Sequence, residues 1–119
     1  MAAAGIHPEV GCAPDEDTAF RRVAPYLLEK YASYASWGLA GVAQDRGGTP
    51  EAQLRRLAAN RFAIGTPAQV IDAILAQHRA RITHLAMRVS WPGMGQDDIL
   101  AGIELIGRQV LPEVRRRTA

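Results

Sequence analysis

Phe62-Ala63-Ile64-Gly65-Thr66-Pro67-Ala68-Gln69-Val70 passes from strand to helix within nine residues. Phe62, Ala63 and Ile64 form a short apolar run of the kind that lies buried in a sheet. Thr66 followed by Gln69 fits a capping box, and Pro67 at the first helical position has no N–H to leave unpaired. Val70, Ile71, Ile74 and Leu75 then recur at helical spacing and predict an amphipathic helix. Beyond it, Leu85, Met87 and Val89 alternate with His84, Ala86, Arg88 and Ser90, which predicts a strand over 82–91. Strand, helix, strand and a further helix predict parallel strands joined by crossovers, an α/β fold.

Working outward, Trp91-Pro92-Gly93-Met94-Gly95 reads as a loop. Asp97 or Asp98 opens a last helix whose stripe is Ile99, Leu100, Ile103, Ile106 and Val110, with Pro112 near its end. Residues 113–119, with Arg115-Arg116-Arg117, read as a basic tail. Upstream, Thr49 caps and Pro50 opens a short helix with Leu54 and Leu57 as its apolar contacts. Residues 39–48 form a loop ending in Gly47-Gly48. Asp15-Glu16-Asp17 opens a longer helix striped by Phe20, Val23, Leu27, Tyr31 and Tyr34. Pro25 predicts a kink or a late start there, and Gly38 a stop. Residues 1–14 form an irregular start. Within it, Glu9 to Ala13 is a short strand candidate in which only Val10 and Cys12 favour extended backbone.

The chain has 119 residues, enough for one small domain or part of a larger one, and its 48% hydrophobic content supports a core. Aromatic residues make up only 6%, so that core is mostly Ala, Leu, Ile and Val. The net charge is +2 and the pI about 9.1. The arginines are scattered, however, and no clustered basic face of the kind nucleic acid requires is visible. Cys12 is the single cysteine, which excludes an internal disulfide. His7, His78 and His84 show no metal-ligand spacing, so no metal is expected. No apolar run reaches the length of a membrane span, and Met1-Ala2-Ala3-Ala4-Gly5 lacks the charged and apolar regions of a secretory signal. The expected location is the cytoplasm.

Three stretches together resemble one family. Phe62 to Val70 is similar to the strand, Gly-Ser/Thr-Pro turn and helix of the bacterial-luciferase-like flavin-dependent monooxygenases. His84-Leu85-Ala86-Met87-Arg88-Val89-Ser90-Trp91-Pro92-Gly93-Met94 resembles the last barrel strand and loop of one branch, and Tyr31-Ala32-Ser33-Tyr34-Ala35-Ser36-Trp37-Gly38 resembles a segment upstream of both. The resemblance spans most of residues 15–115. It implies the C-terminal part of a (β/α)8 TIM barrel, helix-rich with two or three short parallel strands. It also implies reduced flavin mononucleotide (FMN) with oxygen, or a deazaflavin in sister branches, acting on a small organic substrate. A full barrel needs about 250 residues, so residues 1–119 are expected to be a partial barrel domain of a truncated chain lacking about half the barrel. Unpaired sheet edges would then lead it to self-associate or to join a missing N-terminal half. Three functions follow: a flavin-dependent oxidoreductase or monooxygenase, a non-catalytic barrel fragment serving as an association module or inactive remnant, and a deazaflavin-dependent reductase.

On this scaffold the candidate cofactor-binding residues are Gly65, Thr66, Arg88 and Ser90. The Gly65-Thr66-Pro67 turn opens a helix whose free N–H groups suit phosphate. Gly48-Thr49-Pro50 repeats the tripeptide without a preceding strand, so the same residues also read as a plain helix cap. If Leu85, Met87 and Val89 face the covering helices, His84, Ala86, Arg88 and Ser90 look inward. Arg88 would then meet a flavin phosphate, a substrate carboxylate or a structural Asp or Glu. His84, Trp91 and Met94 are the candidate substrate pocket, Trp91 serving equally well as a seal for the rim. No catalytic residue is assigned, and Cys12 has no base near it in sequence to activate it.

Overall fold

A computed structural model describes residues 8–38, 48–59 and 61–119. Strand β1 (Val10–Cys12) leads into helix α1 (Glu16–Ser36), and α2 (Pro50–Ala58) precedes β2 (Ala63–Gly65) and α3 (Pro67–Arg79). The chain then runs extended over 82–91 before a last helical rod. That rod comprises α4 (Gln96–Leu105), a π-helical turn (Ile106–Val110) and α5 (Leu111–Thr118). No helix of the described residues is long and apolar enough to cross a membrane.

β1 has a neighbour on each edge. It pairs in parallel with β2, in the register Val10–Ala63, Gly11–Ile64 and Cys12–Gly65. On its other edge the Val10 N–H donates to the Arg88 carbonyl at 2.8 Å, and the Arg88 N–H donates to the Pro8 carbonyl at 3.0 Å. Glu9 and Arg88 thus form a parallel bridge. The expected parallel α/β arrangement is present, with two corrections. The segment 82–91 touches β1 at a bridge instead of forming a continuous ladder. A barrel wall built in chain order would also seat β2 between its sequence neighbours, whereas here β1 holds that place. β1 can do so because Val10, Gly11, Cys12 and Ala13 are small and uncharged, and all are buried. A Cβ on Gly11 would lie 3.1 Å from the Val23 methyl, so the missing side chain is what lets α1 approach.

Alternating side chains divide the core in two. On one face α1 and α2 bring Phe20, Val23, Leu27 and Leu54 against Ala13, Ile64 and Trp91. On the other, Val70, Ile71, Ile74 and Leu75 of α3 meet Val10, Cys12 and Ala63, with Ile106 and Val110 from the last rod. Leu27, Leu54, Val70 and Val110 are fully buried, and each such side chain contributes about 1.5–3 kcal/mol. Leu85, Met87 and Val89 pack against this second cluster, as their alternation predicts.

Three helix starts follow the sequence closely, whereas the last helix opens at Gln96 without a side-chain cap, ahead of Asp97 and Asp98, and leaves Leu100 and Ile103 of its expected stripe exposed. Asp15 caps α1, accepting 2.8 Å hydrogen bonds from the Thr18 N–H and hydroxyl. Pro25 lies inside α1 without ending it, so the helix starts early and does not wait for the proline. Arg81, at φ 67, ends α3, and the Ile82 N–H closes back on the Gln77 carbonyl at 3.0 Å. Pro112 does not end the last helix. The Leu111 N–H reaches back five residues to the Ile106 carbonyl, and this wider turn makes room for the ring of Pro112 and its missing N–H. The expected basic tail is accordingly helical through Thr118. Of the expected 39–48 loop, residues 39–47 lie outside those described, as do His7 and the rest of residues 1–7.

Candidate functional site

The α1 face of the sheet holds a buried carboxylate. Glu9 is 1% exposed. Its Oε2 accepts from the Trp91 indole N–H at 2.6 Å. Its Oε1 accepts from the Lys30 ammonium, and the Arg88 guanidinium stands 3.6 Å from the same oxygen. A buried charge persists only when paired and hydrogen-bonded, and here three elements supply the partners. Glu9 directly precedes β1 and shares the outlook of Gly11 and Ala13 toward α1. Lys30 lies on α1 three residues after fully buried Leu27, at the edge of its apolar stripe. Its ammonium is 5.6 Å from the ring centres of both Tyr31 and Tyr34, close enough for cation–π attraction. Burial first, and then the Glu9 charge, raise the Tyr31 hydroxyl above its ordinary pKa of 10.

Trp91-Pro92-Gly93-Met94 is a tight turn. The Met94 N–H donates to the Trp91 carbonyl at 3.0 Å, with Pro second and Gly93 third at φ +89. A Cβ on Gly93 would meet the Tyr26 ring at 3.5 Å. The turn therefore packs against α1 and delivers the Trp91 indole inward onto Glu9. Between α1 and this end of 82–91 opens a cleft of about 500 Å³. Tyr26, Tyr34 and Trp37 line it from α1, Arg88, Ser90 and Trp91 from the opposite side. Its volume falls within the ordinary range for small-molecule sites, about 300–1,000 Å³.

The residues expected from sequence separate into two groups. Arg88, Ser90 and Trp91 meet at this cleft, and Arg88 keeps half its side chain exposed. The inward outlook expected for Arg88 is here an outlook toward α1. Trp91, 5% exposed, also joins the core beside the cleft. Gly65 and Thr66 stand at the far side of β1. The Thr66 N–H donates to the Gln69 amide oxygen at 2.9 Å, and the Thr66 hydroxyl accepts from the Gln69 N–H at 3.3 Å. The Gln69 amide then donates to Glu16 at 2.7 Å. This bond, followed by that of Arg55, holds the Glu16 carboxyl below its ordinary value. A carboxylate already occupies the surroundings of this helix start, and the turn works as a cap. His84 is exposed, its Nδ1 2.8 Å from the Thr83 hydroxyl. Met94 packs against the α1-side core, away from the cleft lining. Burial pushes the Cys12 thiol up to about 11, which leaves it protonated and unreactive at neutral pH. Among the described residues no group of three or more His, Cys, Asp or Glu is placed to hold a metal ion.

Glu9 and Lys30, with Tyr26, Glu29, Tyr34 and Trp37 of the cleft lining, are the candidate-site residues that the sequence did not single out. Two signals were available: a lone acid at the mouth of an otherwise apolar strand, and the single lysine of the chain set beside a buried helical stripe.

No protein-family model matches the chain, and no curated protein matches it. Among solved structures, it is similar to the monooxygenase RslO1 from Streptomyces bottropensis, with a TM-score of 0.63 and 17% sequence identity. The match covers 92% of this chain and 30% of that one, so the present chain spans about a third of that enzyme's length.

Proposed function

We propose that this chain is the C-terminal portion of a flavin-dependent monooxygenase of the luciferase-like class, with the Arg88 cleft as its surviving ligand site. The single observation that carries this is a guanidinium at the rim of an aromatic-walled cleft, engaged only by a 3.6 Å contact to Glu9 among the described residues. The fold likeness to a monooxygenase and the three sequence stretches support the class.

The donors present suit a flavin. Arg88 and Ser90 would hold its anionic or hydrogen-bonding edge, and Tyr34 and Trp37 would face its planar rings. When bound, reduced FMN supplies the electrons that reduce oxygen. The residues of this chain have the simpler tasks of binding, orienting and excluding water. Glu9 prevents Arg88 and Lys30 from being left as unpaired neighbouring cations. Trp91 seals the floor of the cleft. The same donors would suit a deazaflavin.

Titrating the protein into FMN and following flavin fluorescence tests the assignment. Quenching is expected, and Arg88→Ala should weaken affinity about tenfold or more, the loss of one charge-assisted contact. Absence of quenching, even with the missing N-terminal half supplied as a second polypeptide, would overturn it.

A second reading, an association module, draws on a separate observation. Leu100 and Ile103, on α4, are 52% and 46% exposed. Light scattering after size exclusion distinguishes the two: concentration-dependent dimers lacking flavin affinity would favour this role.

A further inference from the structure

The chain has few aromatic residues, yet it concentrates them. Both tryptophans and two of the three tyrosines line the Arg88 cleft, in a protein only 6% aromatic. Trp37 is 70% exposed, and its ring centre lies 6.0 Å from that of Tyr34. Large apolar side chains left in water beside a concave site are characteristic of binding surfaces. The walls therefore suit a flat, conjugated ligand.

The charges limit that ligand further. At the floor, Lys30 and Arg88 face the one carboxylate of Glu9, so a single positive charge is in excess. Lys30 is committed to Glu9 and is largely buried. Arg88 is half-exposed, and its contact at 3.6 Å is too long for a hydrogen bond, so its planar fork of donors is available to a carboxylate. Glu29, exposed on the lining of the same cleft, would repel a second negative charge.

We propose that the cleft selects planar aromatic monocarboxylates, with Arg88 holding the carboxylate and with Glu29 repelling a second carboxylate carried on the same ring system. This rests on the assignment of the cleft as a ligand site and deepens it by naming the ligand class. It does not require that flavin bind there.

Isothermal titration calorimetry on the whole chain tests it with three probes of one shape: naphthoate, naphthalene dicarboxylate and naphthol. Naphthoate should bind about tenfold or more tightly than either of the others. Arg88→Ala should bring naphthoate down to the affinity of naphthol. Glu29→Gln, on the exposed rim and remote from the folding of the core, should raise affinity for the dicarboxylate several-fold while changing naphthol little. Equal binding of naphthol and naphthoate by the unaltered protein would overturn the proposal, as would a preference for the dicarboxylate. Naphthoate binding without FMN binding removes the flavin assignment and leaves this one standing. FMN binding without naphthoate binding does the reverse.

Discussion

Glu9 and Val10 are neighbours, each 1% exposed, and their side chains look to opposite faces of the sheet. Val10 enters an all-apolar cluster with Val70 and Ile74. Glu9 enters a polar knot with Lys30, Trp91 and Arg88. Equal burial thus conceals two kinds of stabilisation. The apolar face is forgiving, because a smaller side chain costs area and a cavity. The α1 face is not, because each member of the knot leaves its partners unpaired when removed.

The largest expected effect tests that contrast directly. Glu9→Ala should cost about 3–5 kcal/mol, since it strands a buried ammonium and an indole N–H. Val10→Ala should cost about 2 kcal/mol. Urea denaturation of both variants measures the difference, and equal losses would erase the distinction between the faces. The double variant Glu9→Met with Lys30→Met sharpens it. It should recover most of the Glu9→Ala loss, because replacing both partners removes the unpaired charge, and should still fall about 1–3 kcal/mol short of the parent because the Trp91 indole N–H keeps no acceptor.

The next comparison uses the repeated tripeptide. Thr49 and Thr66 both cap helices, accepting from the Ala52 and Gln69 N–H groups at 3.1 and 3.3 Å. The glycines before them differ. A Cβ on Gly65 would lie 2.0 Å from the Gln69 amide oxygen, so the side chain would have to leave its bonds to Thr66 and Glu16. A Cβ on Gly48 would meet nothing closer than 3.6 Å, and its cost is the backbone strain of φ +82 alone. Gly65→Ala should therefore lose about 2 kcal/mol and Gly48→Ala about 1 kcal/mol. Gly65 also has a positive φ, +157, so both variants carry backbone strain, and thermal melts in the reverse order would show that displacing Gln69 from the capping box costs little.

The smallest effect lies at the far end of the chain. Hydrogen bonds from Arg116 and Arg117 lower the Glu113 carboxyl from 4.5 to about 2. A lowered carboxyl stabilises the folded state fully above its ordinary value and loses that contribution as pH falls through the lowered one. The melting temperature of the parent should thus exceed that of Glu113→Gln slightly and constantly above about pH 5. The gap should close as pH falls toward 2. A gap unchanged at low pH would mean that the ion pairs of Glu113 contribute nothing.

Local features could be read from the sequence in detail. Asp15, Thr49 and Thr66 cap their helices as expected, and the stripe of Val70, Ile71, Ile74 and Leu75 is buried. The alternation of Leu85, Met87 and Val89 correctly assigned their common face. Pro112 misled, because a π turn lets a helix continue past a proline at little cost, and no residue type signals such a turn in advance. Of the candidate cleft, Arg88, Ser90 and Trp91 could be named from the sequence because they lie within four residues at one end of the 82–91 segment. Glu9 was hidden as an isolated acid in an irregular start.

What the sequence determined by itself are the starts of α1, α2 and α3, the buried stripe of α3 and the parallel α/β character. Each depends on hydrogen bonds and side-chain spacings that close within a turn of helix or a few strand residues. Only the tertiary structure decided that β1 has a neighbour on each edge, that α1 covers the face from which Arg88 projects, and that Glu9 is the residue joining Lys30 and Trp91. Those contacts bridge 21 and 82 residues of chain. At such separations a carboxylate finds its partners through the packing of whole elements, and no short stretch of sequence contains that information.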